Sequence, residues 1–213
     1  PVIPVWWGKN QPGMQADQEI ENKEEAVKLW LEARDSAIEQ ATRLYNLGVH
    51  KQIVNRIIEP WMVTKVVCSA TEWDNFFNLR THKDAQPEFK DLARKMFDIY
   101  SESTPEFLNW NQWHVPYVDS SVKGDKQIFT LDDQEISLED ALKLSASLCA
   151  QTSFRTSDDS LEKANIIWNR LMGSNPKHAS PTEHQGTPMF AAEDVSGNFR
   201  GWKQYRHTIK DNT

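Results

Sequence analysis

The chain has 213 residues, enough for one substantial hydrophobic core or at most two small ones. Its formal charge is −7, from 31 acidic residues against 24 Lys and Arg, and such a chain is a poor general binder of a phosphate backbone. We therefore expect no nucleic-acid polymer as partner, although two or three well-placed arginines would suffice for a single nucleotide. The 38% hydrophobic fraction and nine tryptophans exclude a disordered chain.

Membrane and disulfide signals are missing from the sequence. No apolar run approaches the roughly 20 residues that a membrane-spanning helix needs, and no basic and apolar leader is present. Cys68 and Cys149 are too few for a disulfide framework and lack metal-ligand spacing. We predict a cytoplasmic protein with no membrane partner and no metal site.

The first half of the chain predicts mainly helices. The segment through Asp17 is rich in Pro, Gly and Trp and should be extended or looped. Apolar residues then recur at three- and four-residue steps from Ile20 to Tyr45, which predicts a long amphipathic helix capped by Gly48. A shorter helix should stop near Pro60. The β-branched run from Met62 to Cys68 favours a strand, although a helix continuation is possible.

Two more helices and an irregular stretch should follow. Glu72 to Leu79 predicts a short helix, and the apolar stripe from Phe89 to Tyr100 predicts a longer one that ends at Thr104-Pro105. Residues 105–136 mix Trp, Pro, Gly and Asp, so we expect mostly irregular structure there.

The last third adds helices and a small sheet. Ser137-Leu-Glu-Asp140 resembles a capping box that opens a helix to about Ala150. Asp158 or Asp159 would cap a further helix that ends at Gly173. From residue 186 onward we expect two strands that turn at 196–198. The sequence thus predicts a single α+β domain over 1–213, mainly helical with a small, mostly antiparallel sheet.

Two arginines are candidates for ligand binding. Arg80 closes the short helix beside the amides of Asn75 and Asn78, and its guanidinium fork suits a planar ligand with carbonyl oxygens and ring nitrogens. The alternative is an arginine that neutralises the helix C-terminal dipole. Arg56 lies on the polar border of an apolar helix face, where it needs an anion, a carbonyl group or an internal salt bridge.

A polar cluster lies farther along the chain. His178 and His184 flank Ser180-Pro181 and Glu183, a set that suits either an acid–base cluster or a zinc-like site, although no third histidine is near. Pro181 indicates an ordered turn or helix start with Ser180 as its cap. Both cysteines lie among small or apolar residues, so we expect them to be packed rather than reactive.

These segments together resemble the flavin-dependent thymidylate synthases. Residues 51–60, Thr64, Asn75 to Arg80 and 85–88 resemble the C-terminal half of that family. Residues 149–153, the charged helix after them and His178 to His184 resemble its N-terminal half. In the familiar members the second block comes first. The order here is similar to that of a rearranged phage and bacterial branch whose members end in a segment like Gly197 to Trp202.

The resemblance implies a thymidylate synthase-complementing fold and a methyltransferase of nucleotide biosynthesis that converts dUMP to dTMP. Methylenetetrahydrofolate would supply the carbon, and FAD reduced by NADPH would supply the hydride. Such flavoproteins are homotetramers whose sites combine residues from several subunits. If a phage encodes this protein, the host cytoplasm would be its location.

The resemblance also implies roles for individual residues. Arg80 would be the catalytic residue, because its charge favours the ionised form of the uracil ring that it contacts. Arg56 and Arg206 would bind the nucleotide with it. The cofactor-binding residues would be Ser69, Thr71, Asn75, His178, Ser180 and Glu183, the last of which would hold its loop. The two motifs are thus expected to form the uracil-facing and flavin-facing walls of one site.

Departures from the family pattern leave other functions open. The family's arginine-rich signature has no full counterpart, since Tyr205-Arg-His-Thr208 resembles it only faintly, and Gln151 stands where an arginine is usual. We expect the signature to lie upstream of Pro1, so that the chain carries most of an active site. One alternative is a pyrimidine-nucleotide hydroxymethylase on the same fold. The other is a non-catalytic fragment that needs a partner segment.

Overall fold

The computed structural model describes residues 2–13 and 15–210. The chain divides into two compact units, the first of Pro1–Thr64 with Asp74–Ser103 and the second of Lys65–Trp73 with Thr104–Thr213. The single domain over 1–213 therefore stays a prediction. None of the described helices is long and apolar enough to cross a membrane.

The first unit is built from helices. They are α1 (Lys23–Asn46), α2 (Lys51–Ile58), α3 (Asp74–Arg80) and α4 (Pro87–Glu102). The Asn22 side chain caps α1 by accepting from the Glu25 N–H, and Gln86 caps α4 in the same way through the Phe89 N–H. Gly48 follows α1 with φ +85°, a conformation that glycine adopts without steric cost. The helices predicted for this part of the chain are confirmed.

Aromatic residues hold the first unit together. The Trp30 ring lies 6.2 Å from that of Trp7 and 5.2 Å from that of Trp61. Both partly buried indole N–H groups donate to backbone carbonyls, Trp30 to Val2 and Trp61 to Trp30, as buried tryptophans require. Phe77 of α3 is only 6% exposed, and its ring centroid lies 5.2 Å from that of Phe97 in α4. The pairing of these two rings fixes α3, and with it Arg80, against α4.

The second unit combines short strands with two helices. A β-meander of β1 (Asp119–Lys123), β2 (Lys126–Leu131) and β3 (Gln134–Ile136) leads into α5 (Leu138–Gln151) and α6 (Leu161–Gly173). The remaining strands are β4 (Gly186–Pro188), β5 (Val195–Ser196), β6 (Phe199–Arg200) and β7 (Trp202–Gln204). β4 pairs with β7 and β5 with β6, both antiparallel. The α+β class is confirmed, with the sheet divided into three small ladders among the described residues.

Helix α5 is the most buried element of the second unit. Ser137 caps it by accepting from the Asp140 N–H, as the capping box predicted. Its Ala141 and Leu142 join Val115 and Phe129 in a hydrophobic cluster. Leu144 is 1% exposed on the same helix. α5 therefore provides the rigid wall against which the polar loops of this unit pack.

The structure corrects the secondary structure predicted for three segments. Residues 62–68, predicted as a strand, form neither strand nor helix, and Val63 is 84% exposed because no neighbouring strand pairs with it. Residues 105–136, predicted to be mostly irregular, contain the β1–β3 meander. Its second turn uses Asp132 and Asp133, both with positive φ, which suits a hairpin turn. Ser160, rather than Asp158 or Asp159, caps α6.

Gly186→Ala should destabilise the second unit. A Cβ at this position would lie 2.6 Å from the ring of buried Phe199, so the core would be overpacked. We expect the free energy of unfolding to fall by about 1–3 kcal/mol, measured by urea denaturation.

Gly173→Ala is the matched control. Its Cβ would meet nothing within 4 Å, at the last residue of α6. Stability should be unchanged or up to about 1 kcal/mol higher. Equal losses in the two variants would contradict the packing at Gly186.

Candidate functional site

Helix α3 presents the first candidate residues on the surface of the first unit. Arg80 lies in its last turn and is exposed. The guanidinium carbon sits 5.4 Å from the centroid of the Phe89 ring, a cation–π contact that orients the fork. Arg80 forms no ion pair within residues 2–13 and 15–210. Its fork is therefore available to a ligand, while its charge also suits the C-terminal end of the helix.

Arg56 and Asn75 are similarly placed in the first unit. Arg56 is exposed in the last turn of α2, and the internal salt bridge considered as an alternative does not form with any described carboxylate. Asn75 is exposed near the start of α3. Each has a polar group exposed to solvent, so both could bind a polar ligand.

In the second unit, residues 178–184 form an ordered loop. A 3-10 turn spans Ser180–Thr182 with Pro181 at its start, which confirms the predicted turn. Ala179 occupies the cap position and no side chain caps the turn, so the prediction that Ser180 is the cap was wrong. Thr182 is fully buried, and its Oγ1 donates to the Ala179 carbonyl at 2.6 Å. His178 and Ser180 remain exposed on the outside of this loop.

Glu183 anchors the loop to the segment around β7, the strand that pairs with β4. Its Oε2 accepts from Arg206 Nη1 at 2.8 Å, and both side chains are about one-third exposed. Its backbone carbonyl accepts from the Nε2 of buried Gln204 at 2.9 Å. Arg206, which the sequence placed on the nucleotide, is thus engaged with a predicted cofactor residue. One side of its guanidinium holds the loop.

Ser69 reaches the same loop from residues 65–73. Its Oγ lies 3.3 Å from His184 Nδ1, and His184 Nε2 lies 4.0 Å from Glu183 Oε1. Removal from water lowers the pKa of His184, and Arg206 acts in the same direction while Glu183 opposes it. No local pattern could have predicted this contact, because Ser69 and His184 are 115 residues apart.

Thr71 is fixed by the β5–β6 hairpin. Its Oγ1 accepts from the Arg200 N–H at 2.8 Å, and its own N–H donates to the Asn198 carbonyl at 3.2 Å. Glu72 adds an exposed ion pair with Arg200 at 2.9 Å. The hairpin therefore orders a segment that has no regular secondary structure. The Thr71 hydroxyl hydrogen is still available for donation, because this oxygen acts as an acceptor.

Gln185 ties the end of the loop to α5. It is fully buried, and its Nε2 lies 2.8 Å from Ser145 Oγ and 3.6 Å from Cys149 Sγ. Burial raises the pKa of the Cys149 thiol to about 12, so this cysteine is not a nucleophile at neutral pH. Cys68 is exposed, in contrast to the packed position predicted for it. In the described part of the chain, no three His, Cys, Asp or Glu side chains cluster as metal ligands would.

The partly buried position of His184 predicts a pH-dependent stability. Its folded-state pKa is lowered, so the unfolded chain binds this proton more tightly. The stabilisation is present above the unfolded pKa of about 6.5 and is lost as pH falls below it. The free energy of unfolding of the wild type should fall between about pH 7 and about pH 5, and this fall should be smaller in His184→Gln. Urea titrations at each pH measure the difference.

His82→Gln serves as the control, since His82 is exposed in the first unit. That variant should keep the wild-type slope of stability against pH. A His184→Gln slope equal to the wild-type slope would refute the assignment.

Comparison with known proteins gives one result. Residues 8–106 match the family described as Thy1, thymidylate synthase complementing protein, a segment that includes Arg56, Asn75 and Arg80. No curated protein and no solved structure matches the chain. The resemblance drawn from the sequence is confirmed over the matched segment, which indicates a thymidylate synthase-type function. Over residues 8–106, the chain is similar to the thymidylate synthase complementing family.

Proposed function

We propose that the protein is a flavin-dependent thymidylate synthase that methylates dUMP to dTMP with methylenetetrahydrofolate and NADPH. One observation carries the proposal. Arg80 lies in the segment that matches the family, is exposed at the end of α3, and has a guanidinium oriented by Phe89 with no carboxylate partner among the described residues. In a chain with a charge of −7, such an arginine is available for an anionic or carbonyl-bearing ligand.

Arg80 would act on the uracil ring. Its positive charge, placed against the ring carbonyls, would stabilise the ionised form of the pyrimidine and so raise the nucleophilicity of the carbon that is methylated. No cysteine is required to activate that carbon. The raised pKa of the Cys149 thiol agrees with this, because a buried thiol cannot attack. Arg56, also exposed in the first unit, would bind the nucleotide phosphate.

The side chains present suit a flavin. Exposed His178 and Ser180 project from an ordered loop, Asn75 offers an amide, and Thr71 has a hydroxyl hydrogen to donate. A flavin ring and its diphosphate carry carbonyl oxygens, ring nitrogens and anionic oxygens, which such donors and acceptors match. When bound, FAD would accept a hydride from NADPH and supply it to the transferred carbon.

Ser69, Glu183 and Arg206 would hold the loop that binds the cofactor. Glu183 accepts from Arg206, and Ser69 lies against His184 in the same loop. These contacts hold the loop that carries His178 and Ser180, and they do not involve the side chains of these two residues. Arg206 would also bind the nucleotide, since a guanidinium carries five N–H donors and can serve two acceptors at once.

Exposed apolar side chains support assembly into a homotetramer. Leu92 is 51% exposed and Ile99 71% exposed on α4, and Leu79 is 53% exposed on α3. Apolar residues grouped on the surface of a folded unit mark interaction sites. We propose that other copies of the chain cover them, in a cytoplasmic enzyme.

Arg80→Ala should abolish turnover while the fold is retained. The side chain is exposed and makes no ion pair with the described residues, so stability should change little, whereas dTMP formation should fall by about 100-fold or more. The measurement is mass spectrometry of the nucleotide product after incubation with dUMP, FAD, NADPH and methylenetetrahydrofolate.

Arg43→Ala is the matched control, because Arg43 also lies in the last turn of a helix of the same unit. It should turn over like the wild type. Normal turnover in Arg80→Ala would contradict the catalytic role proposed for Arg80. A hydroxymethylated product from the wild type would instead identify a hydroxymethylase, and a wild type that binds neither flavin nor dUMP would identify a fragment that needs a partner.

Removing the loop side chains should weaken flavin binding. We expect the double change His178→Ala with Ser180→Ala to raise the Kd for FAD by about tenfold or more, since each lost hydrogen bond to a charged group is worth about 1.5–3 kcal/mol. FAD absorbance retained after gel filtration measures this. Ser121→Ala, an exposed serine on β1, is the control and should bind FAD like the wild type. Equal FAD retention in the double variant would contradict the cofactor role.

A further inference from the structure

A cleft at the end of α5 has a composition unlike the rest of this acidic chain. It has a volume of about 400 Å³ and lies entirely in the second unit. Its polar lining includes Lys65, Arg155, Thr152 and Ser157, and its aromatic lining is Tyr117 and Phe154. No described carboxylate lines it, although the chain has 31 acidic residues against 24 basic ones. We call it the Arg155 cleft.

We propose that the Arg155 cleft binds a phosphate monoester carried on an aromatic base, as in a nucleoside monophosphate. Arg56, Arg80, His178 and Ser180 are not among the residues that line the cleft, and the proposal does not depend on the thymidylate synthase reaction. Its volume falls within the range of about 300–1,000 Å³ typical of small-molecule sites. We infer the ligand class from the cationic side chains of the cleft, its exposed aromatic rings and the fixed conformation of its loop.

Two cationic side chains line the cleft. Arg155 is exposed and has no ion-pair partner in the described ranges, and Lys65 lines the same cleft. The nearest acidic side chain along the chain, Asp158, is turned to α6, where its Oδ1 accepts from both the N–H and the hydroxyl of Ser160. A guanidinium fork and an ammonium with adjacent hydroxyls suit the doubly charged phosphate better than a single carboxylate.

Two aromatic rings add a stacking surface. Phe154 is 54% exposed and Tyr117 is 56% exposed, so both rings present surface to the solvent within the cleft. Exposed aromatic faces stack on nucleobases, a contact worth about 1–3 kcal/mol per base. A planar ring attached to the phosphate would cover them.

The Tyr117 backbone is strained and its side chain is held in place. Tyr117 has φ +68°, an unfavourable conformation for a bulky residue, and its hydroxyl lies 3.3 Å from Thr152 Oγ1. Strained residues that the surroundings hold in place concentrate at ligand sites. The ring of Tyr117 is thus fixed at the cleft before any ligand arrives.

The loop that carries Arg155 is preorganised by a buried glutamine. Gln151 is 2% exposed; its Oε1 accepts from the Asp158 N–H and its Nε2 donates to the Asp158 carbonyl, both at 3.0 Å. The Phe154 N–H donates to the Gln151 carbonyl at 2.8 Å. Residues 152–158 are therefore held at both ends, which lowers the entropic cost of binding. Gln151, where the sequence suggested that an arginine is usual, serves this loop rather than a ligand.

Calorimetric titration of the whole chain with AMP tests the proposal. Wild type should bind AMP, and Arg155→Gln should raise the Kd by about tenfold or more, as expected for the loss of a charged hydrogen bond. Arg170→Gln is the matched control, because Arg170 is exposed in the same unit at the end of α6. It should bind AMP like the wild type. Circular dichroism and thermal melting confirm that both variants fold.

Two further measurements distinguish the contribution of the phosphate to binding from that of the aromatic base. Phe154→Leu should weaken AMP binding severalfold and leave the weaker binding of inorganic phosphate unchanged, whereas Arg155→Gln should weaken both. Adenosine should bind more weakly than AMP. AMP binding no tighter than that of inorganic phosphate would overturn the proposal, as would wild-type affinity in Arg155→Gln.

Arg80→Ala distinguishes this cleft from the proposed dUMP site. It should leave AMP binding intact, since Arg80 does not line the cleft. AMP binding lost in Arg80→Ala and kept in Arg155→Gln would assign AMP to the dUMP site and overturn the proposal. A failure of dTMP synthesis would leave the AMP titration unaffected, so the two proposals fail separately.

Discussion

The buried hydrogen bond between Gln185 and Ser145 is the constraint on which the candidate loop depends. A fully buried amide costs about 1–3 kcal/mol if it is left without a partner, so Gln185 can occupy this position only with its Nε2 against α5. β4 begins at the next residue, and its partner β7 ends at Gln204, whose Nε2 holds the Glu183 carbonyl. Residues 178–184 are thereby fixed at one end by buried polar contacts. The same contacts leave His178 and Ser180 outside, available to a ligand.

Charge supplies the second organising constraint. The chain is acidic, and most exposed ion pairs in it contribute little, since solvent screens them. Against this background Arg56, Arg80 and Arg155 have no carboxylate partner among the described residues. Arg80 is oriented by an aromatic ring, and Arg155 sits beside one in a cleft without described carboxylates. Local positive sites of this kind on an acidic surface are the basis of the nucleotide binding proposed above.

Elements with strong local signals were predicted well. The periodicity of α1 and α4 and the capping box at Ser137 depend on neighbouring residues, and the structure has these features. The predicted strand at residues 62–68 was wrong because its β-branched residues have no strand to pair with in the part of the chain that the structure describes. The β1–β3 meander was not predicted because its strands lie in a segment whose Trp, Pro, Gly and Asp content is typical of irregular structure. Gly124, Asp132 and Asp133 belong to the turns of the meander, where they adopt positive φ.

Local sequence was enough to predict the helices of the first unit and the family resemblance of residues 8–106, because periodicity and motif spacing are properties of neighbouring residues. It also identified the candidate side chains. Only the folded chain shows the hydrogen-bond partners of these side chains. Glu183 pairs with Arg206, Ser69 with His184, and Thr71 with Arg200. These partners are 23, 115 and 129 residues apart. Hydrogen bonds over such separations are set by the packing of whole elements, which no local pattern encodes.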